Sequence, residues 1–152
     1  MNEKFIQNLD KLPADVRRQF ALLANQYGEK KKQDTIQNDF LSFVKHVWPD
    51  FVEGKHHKRI ADKFNKLASG EIKRLIINMP PRHTKSEFGS YLLPAWMVGR
   101  NPKLKIIQST NTTELSVRFG RKAKALIDSP EYQEVFKTRL KEDSQAAGKW
   151  IV

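Results

Sequence analysis

The chain has 152 residues, of which 28 are Lys or Arg and 17 are Asp or Glu, so its formal net charge is +11. Because it contains no cysteine, a disulfide scaffold, a thiolate metal site and a cysteine nucleophile are excluded. No apolar run approaches the ~18 residues of a membrane span, and the first residues do not form a secretory signal, so we expect an intracellular protein. The excess of positive charge indicates a polyanionic partner.

The first fifty residues predict helices. Four apolar residues recur at the spacing of one helical face: Val16, Phe20, Leu23 and Tyr27. Gly28 is typical of the position after a helix, and the charged run 29–33 is predicted to be a linker. A second helix is predicted to begin at Asp34, with capping-box spacing to Gln37, and to end before Pro49.

After residue 50 the hydrophobic period changes along the chain. The predicted elements are helix 56–68, strand 74–78, loop 79–84, helix 85–98, strand 104–109, helix 111–127 and helix 131–137. The two strands are short continuous apolar runs, which are typical of strands buried on both faces. Strand and helix alternate in this part of the chain, so we expect a parallel α/β unit, residues 51–152, behind a helical region, residues 1–50.

The loop after the first predicted strand carries the strongest functional signal. Met79–Ser86 has the eight-residue length of a phosphate-binding loop, G-x-x-x-x-G-K-[ST], and stands between a strand and a helix as that motif requires. Lys85 occupies the position that contacts the β/γ-phosphates, and Ser86 the position that reaches magnesium. Both glycines of the motif are replaced, the second by Thr84, so the pattern also fits an ordinary basic helix start behind a proline-rich turn.

A longer stretch of sequence resembles a known family. The run Leu75-Ile76-Ile77-Asn78-Met79-Pro80-Pro81-Arg82-His83-Thr84-Lys85-Ser86-Glu87 is similar to the Walker A segment of the large terminase subunits of tailed bacteriophages and prophages. Further similarities are His56-His57, Pro94-Ala95-Trp96, Gly99-Arg100-Asn101-Pro102, Phe119-Gly120-Arg121-Lys122 and Ala146-Ala147-Gly148-Lys149-Trp150. The resemblance covers about residues 36–152, and Thr84 departs from it because the family has glycine there.

The resemblance implies part of an ATP-driven motor that packages viral DNA into procapsids. It implies a RecA-like P-loop ATPase in the bacterial cytoplasm that uses ATP and Mg²⁺, with the nucleotide held by Pro81, Arg82, His83, Thr84, Lys85 and Ser86. Arg82 and Lys85 would be the catalytic residues, and Ser86 would bind Mg²⁺ through its hydroxyl. Its partners would be double-stranded DNA, the portal protein, the small terminase subunit and other copies in a ring.

Two features bear on how complete this machinery is. No apolar run ends in the acidic pair that a P-loop ATPase uses to hold Mg²⁺, and no carboxylate cluster suits a two-metal nuclease, so we expect an N-terminal portion that ends before the Walker B strand. His56 and His57 are adjacent on a predicted helix. Adjacent residues do not share a helix face, so we do not expect them to bind one metal ion together. The resemblance implies that they could contact the nucleotide base.

Other functions stay open. The segment 52–86 holds nine Lys or Arg residues, so the chain could be a non-enzymatic basic DNA-binding protein or an inactive prophage remnant. A small nucleotide kinase is the third reading, but no second-substrate site is visible. The three tryptophans, Trp48, Trp96 and Trp150, are expected to pack in the core.

Overall fold

Helices form most of the regular structure. The computed structural model describes residues 13–141, together with the backbone of residues 145–146 and 149–150. Its helices are α1 (Ala14–Asn38), α2 (Phe40–Val47), α3 (Lys55–Ala68), α4 (Lys85–Glu87), α5 (Leu93–Arg100), α6 (Thr113–Ile127) and α7 (Pro130–Val135). A π-helical turn, Phe88–Leu92, joins α4 to α5. Two strands of two residues, β1 (Gln145–Ala146) and β2 (Lys149–Trp150), pair antiparallel with Gln145 opposite Trp150.

The predicted α/β fold is wrong. Residues 74–78 and 104–109 form no strand, and the described residues contain no parallel sheet of the RecA-like kind. Ile76 is 86% exposed and Ile107 is 97% exposed, whereas the strand prediction assumed burial on both faces. A β-strand exists only when a neighbour satisfies its N–H and C=O groups, and in the described part of the chain no segment pairs with either run.

The N-terminal region also differs from the prediction. Helix α1 continues through Gly28 and the charged run 29–33, and it ends at Asn38. One glycine costs a helix only about 1 kcal/mol, and the lysines, glutamate and glutamine that follow are good helix formers. The next helix is capped by Asp39, not by Asp34.

The chain divides into two compact units, Met1–Asp34 and Thr35–Val152. In the described part of the first unit every residue is exposed, including Val16, Phe20, Leu23 and Tyr27. Among the described residues, no helix combines the length and the apolar character needed to cross a bilayer.

The core of the second unit is aromatic. The ring of Phe40, on α2, meets three other rings edge-on, with centroids 5.0 Å from Phe64, 5.4 Å from Phe88 and 5.5 Å from Trp96. Such edge-to-face pairs add to the stabilisation from burial. Trp96 is fully buried, as predicted, and Trp48 is partly buried, whereas the side chain of Trp150 lies outside the described residues.

Pro94 is accommodated by a local change of helix type. The π-helical turn directly precedes α5, and Pro94 is in the first turn of that helix, where a missing N–H is tolerated. The helix therefore continues to Arg100, two residues beyond the predicted end. Helices α3, α6 and α7 begin and end within two residues of their predicted bounds, and α6 and α7 are capped by Thr112 and Ser129.

Candidate phosphate-binding loop

The candidate site is the turn that leads into α4. Residues 81–84 form this turn, and α4 begins at Lys85. Arg82 has φ 64° and Thr84 has φ 58°, and these are the only non-glycine residues with positive φ in the described part of the chain. Left-handed residues next to right-handed ones point successive N–H groups toward one side, which is the geometry of an anion-binding concavity.

Thr84 adopts the conformation that the missing glycine would adopt. It stands at the second glycine position of the phosphate-binding pattern and is the left-handed residue before the helix. A left-handed conformation costs a residue with a Cβ roughly 1–2 kcal/mol, and a β-branched side chain adopts it rarely. Neighbouring groups must therefore stabilise Thr84 in this conformation.

A chain of hydrogen bonds holds the Thr84 side chain. The Gly54 N–H donates to His57 Nδ1 over 2.8 Å, so the proton of the neutral imidazole lies on Nε2. His57 Nε2 then donates to Thr84 Oγ1 over 2.6 Å, and the Thr84 hydroxyl donates to the carbonyl of His83 over 2.6 Å. Each atom in this chain has the role that its partner requires.

His57 is buried below the turn. It is 5% exposed, and its ring centroid lies 4.8 Å from that of Phe51 and 5.1 Å from that of Phe88. Burial lowers the pKa of His57, and the neighbouring His56 and His83 lower it further, although the negative charge of Glu53 acts in the opposite direction. The neutral form is the one that the two hydrogen bonds require.

His56 lies beside His57, with ring centroids 3.8 Å apart, and its ring is 5.7 Å from that of His83. Its Nε2 atom is buried without a hydrogen-bond partner. In the described residues no group of three or more His, Cys, Asp and Glu side chains could hold a metal ion.

The other predicted site residues are at the surface. The side chains of the turn and of the first residues of α4 are exposed at Pro81, Arg82, His83, Lys85 and Ser86. His83 Nδ1 donates to the carbonyl of Pro81 over 2.8 Å, which fixes the turn from the outer side. The first N–H groups of a helix have no partner within the helix, so those at the start of α4 remain available to a ligand.

The arrangement suits a phosphate better than a metal ion. It offers backbone donors, a guanidinium and an ammonium group, which are the usual partners of phosphate oxygens. The hydroxyl of Ser86 is a single oxygen ligand, and Mg²⁺ requires near-octahedral oxygen coordination. Mg²⁺ would therefore arrive with the nucleotide phosphates.

The hydrogen bond between His57 and Thr84 could not be predicted from the sequence. These residues are 27 positions apart, and periodicity and spacing report only local neighbours. One signal was available: a threonine at a position that requires positive φ needs a partner from elsewhere in the fold.

Comparison of the chain with family models, with curated proteins and with solved structures gave no match.

Proposed function

We propose that the loop Met79–Ser86 binds the phosphates of ATP and that the chain is the N-terminal, nucleotide-binding part of a DNA-packaging motor similar to the large terminase subunit. The left-handed backbone of Thr84, directly before Lys85 and Ser86, carries the first part of this proposal. The packaging role, with double-stranded DNA, the portal protein and the small terminase subunit as partners, is supported by the resemblance of residues 36–152.

The residues of the loop have separate roles in this proposal. The N–H groups from Thr84 to Ser86 surround phosphate oxygens, and Lys85 neutralises the charge of the β- and γ-phosphates. Arg82 adds a second cation whose side chain is exposed and can reach the γ-phosphate. The proposed role is binding of the nucleotide, because the backbone N–H groups, Arg82 and Lys85 are all suited to contact phosphate oxygens.

The test is the binding of Mg·ATP to the 152-residue chain, measured by calorimetry or with a fluorescent nucleotide. A hydrogen bond to a charged group contributes about 1.5–3 kcal/mol, so Lys85→Ala is expected to weaken binding by about 10- to 100-fold. Lys103→Ala removes the same charge from an exposed turn and serves as the control. Equal affinity of the Lys85→Ala variant and the wild type would overturn the proposal.

A second candidate function is contact with the nucleic acid backbone. Helix α3 carries four exposed basic side chains, Lys55, Lys58, Arg59 and Lys63. Two of them have acidic partners, Lys58 with Glu53 at 2.9 Å and Lys63 with Asp62 at 3.5 Å. The remaining positive charge suits non-specific contact with phosphates.

A further inference from the structure

A hydrogen bond connects His57 to the turn, and its partner there is a threonine with positive φ. Its Nε2 atom lies 2.6 Å from Oγ1 of Thr84, the threonine with φ 58°. The same imidazole is held from the other side by the Gly54 N–H, 2.8 Å from Nδ1. The ring therefore connects the segment before α3 to the turn before α4.

A glycine at position 84 would need no such connection, because glycine adopts positive φ freely. Threonine at this position has a Cβ that disfavours the conformation, but it also has a hydroxyl that can be held. In this chain the hydroxyl accepts from His57 and donates to the His83 carbonyl, so both of its hydrogen-bonding roles stabilise the turn.

We propose that His57 is a positioning residue which, in its neutral form, holds Thr84 in the left-handed conformation and so keeps the loop Met79–Ser86 ready to bind phosphate. The inference rests on the function proposed above. It adds that phosphate binding by this chain is sensitive to acid and that the sensitivity depends on the pair His57–Thr84.

The direction of the pH dependence follows from the hydrogen bonds. Protonation of His57 places a proton on Nδ1, which then faces the Gly54 N–H, so two donors oppose each other and the ring must move. The titratable groups that act on His57 are His56, His83 and Glu53. Glu53 is itself engaged by Lys45 and Lys58, which reduces its ability to favour a charged imidazole.

The pKa of His57 lies below its ordinary value, mainly because the ring is buried and further because His56 and His83 are close. The folded loop therefore favours neutral His57. The stabilisation of the loop by the hydrogen bond from His57 to Thr84 is fully present above the ordinary histidine pKa, about 6.5. It is lost as the pH falls through the lower pKa of the folded state.

The test compares the affinity for Mg·ATP at about pH 5 and pH 7.5, on either side of the ordinary histidine pKa. His57→Ala is expected to weaken binding about five- to ten-fold at the higher pH, the effect of one lost hydrogen bond. The Thr84→Gly variant is expected to bind Mg·ATP with little dependence on His57, because glycine adopts positive φ without a stabilising hydrogen bond. His57→Ala in the Thr84→Gly background should therefore have almost no further effect.

Two controls separate this inference from general effects of histidine substitution or acid. His46→Gln removes a histidine that contacts α7, and it should leave both the affinity and its pH profile unchanged. His57→Gln provides an amide nitrogen that can donate to Thr84 and does not titrate, so its binding should be restored and should be less sensitive to acid than that of the wild type.

The outcomes distinguish the two proposals. If binding depends on Lys85 but is the same in His57→Ala and the wild type, the inference is wrong and the proposed function stands. If binding is independent of Lys85, the proposed function is wrong. Nitrogen NMR of the His57 ring uses the wild-type chain and therefore does not depend on a variant that folds. A proton on Nε2 with Nδ1 unprotonated is expected at pH 7.5. The opposite tautomer would contradict the proposed hydrogen bond from His57 to Thr84.

Discussion

At the scale of single residues, two glycines in helices have opposite surroundings. A Cβ on Gly99, in α5, would lie 2.6 Å from Cγ of Phe136 and 2.6 Å from the hydroxyl of Tyr132, whereas a Cβ on Gly28, in α1, would meet nothing within 4 Å. Tyr132 is fully buried and donates to the carbonyl of Ala95 over 2.9 Å, so it has little freedom to move.

Gly99→Ala and Gly28→Ala are therefore expected to change stability in opposite directions. The first should destabilise the second unit by about 1–3 kcal/mol because it overpacks the core. The second should stabilise α1 by about 0.5–1 kcal/mol because alanine is the better helix former. Urea unfolding measures the first effect and the helical circular dichroism signal of α1 the second, and a neutral Gly99→Ala would contradict the close packing of α5 against Tyr132.

At the scale of elements, the start of α2 is organised by one carboxylate. Asp39 Oδ2 accepts from the N–H and the hydroxyl of Ser42 at 2.8 and 2.7 Å, and Oδ1 accepts from Asn65 Nδ2 at 2.7 Å. Asn65 Oδ1 in turn accepts from the N–H of Phe40. Asp39 thus caps α2 and connects it to α3, the helix that carries His57.

Asp39→Ala is expected to destabilise the protein by about 1–2 kcal/mol at neutral pH, the usual effect of removing an N-cap. Partial burial raises the pKa of Asp39, but the hydrogen bonds from Ser42 and Asn65 outweigh it, so the pKa lies below the ordinary value. The stabilisation is therefore present above about pH 4 and is lost as the pH falls through the lower, folded-state pKa. Urea unfolding as a function of pH tests this, with Asp39→Asn as the uncharged capping control, and an equal loss for Asp39→Ala at every pH would contradict it.

The elements that could be predicted from the sequence are those that depend on local signals. The apolar stripes of α3 and α6 placed these helices within two residues of their observed bounds, and Pro49 correctly predicted the end of α2, although its start was wrong. The apolar runs 74–78 and 104–109 were assigned to strands, but a strand depends on a partner that a local pattern does not contain. Lys85 and Ser86 could be proposed as site residues from the sequence because their motif is contiguous. The contact of His57 with Thr84 could not, because it depends on packing between α3 and the turn.

At the scale of the whole molecule, charge is the dominant property. Positive charges exceed negative ones by eleven, and α3 places Lys55 and Arg59 one turn apart on an exposed face. Long-range attraction to a polyanion depends on the total charge, whereas the number of phosphates contacted depends on where the cations lie. These two contributions can be separated by the dependence of binding on salt.

We expect the chain to bind duplex DNA of any sequence at low salt and to release it as salt is raised. The plot of log affinity against log salt should have a slope of about −0.9 for each phosphate contacted. Lys55→Gln with Arg59→Gln should reduce this slope by about two, as expected when two phosphate contacts are lost. Lys137→Gln with Arg139→Gln removes an equal charge from exposed positions after α7 and should leave the slope nearly unchanged, since these residues do not belong to helix α3. Fluorescence anisotropy with a labelled duplex between 50 and 200 mM salt measures both variants, and an equal reduction of the slope in the two would show that total charge, not helix α3, determines the contact.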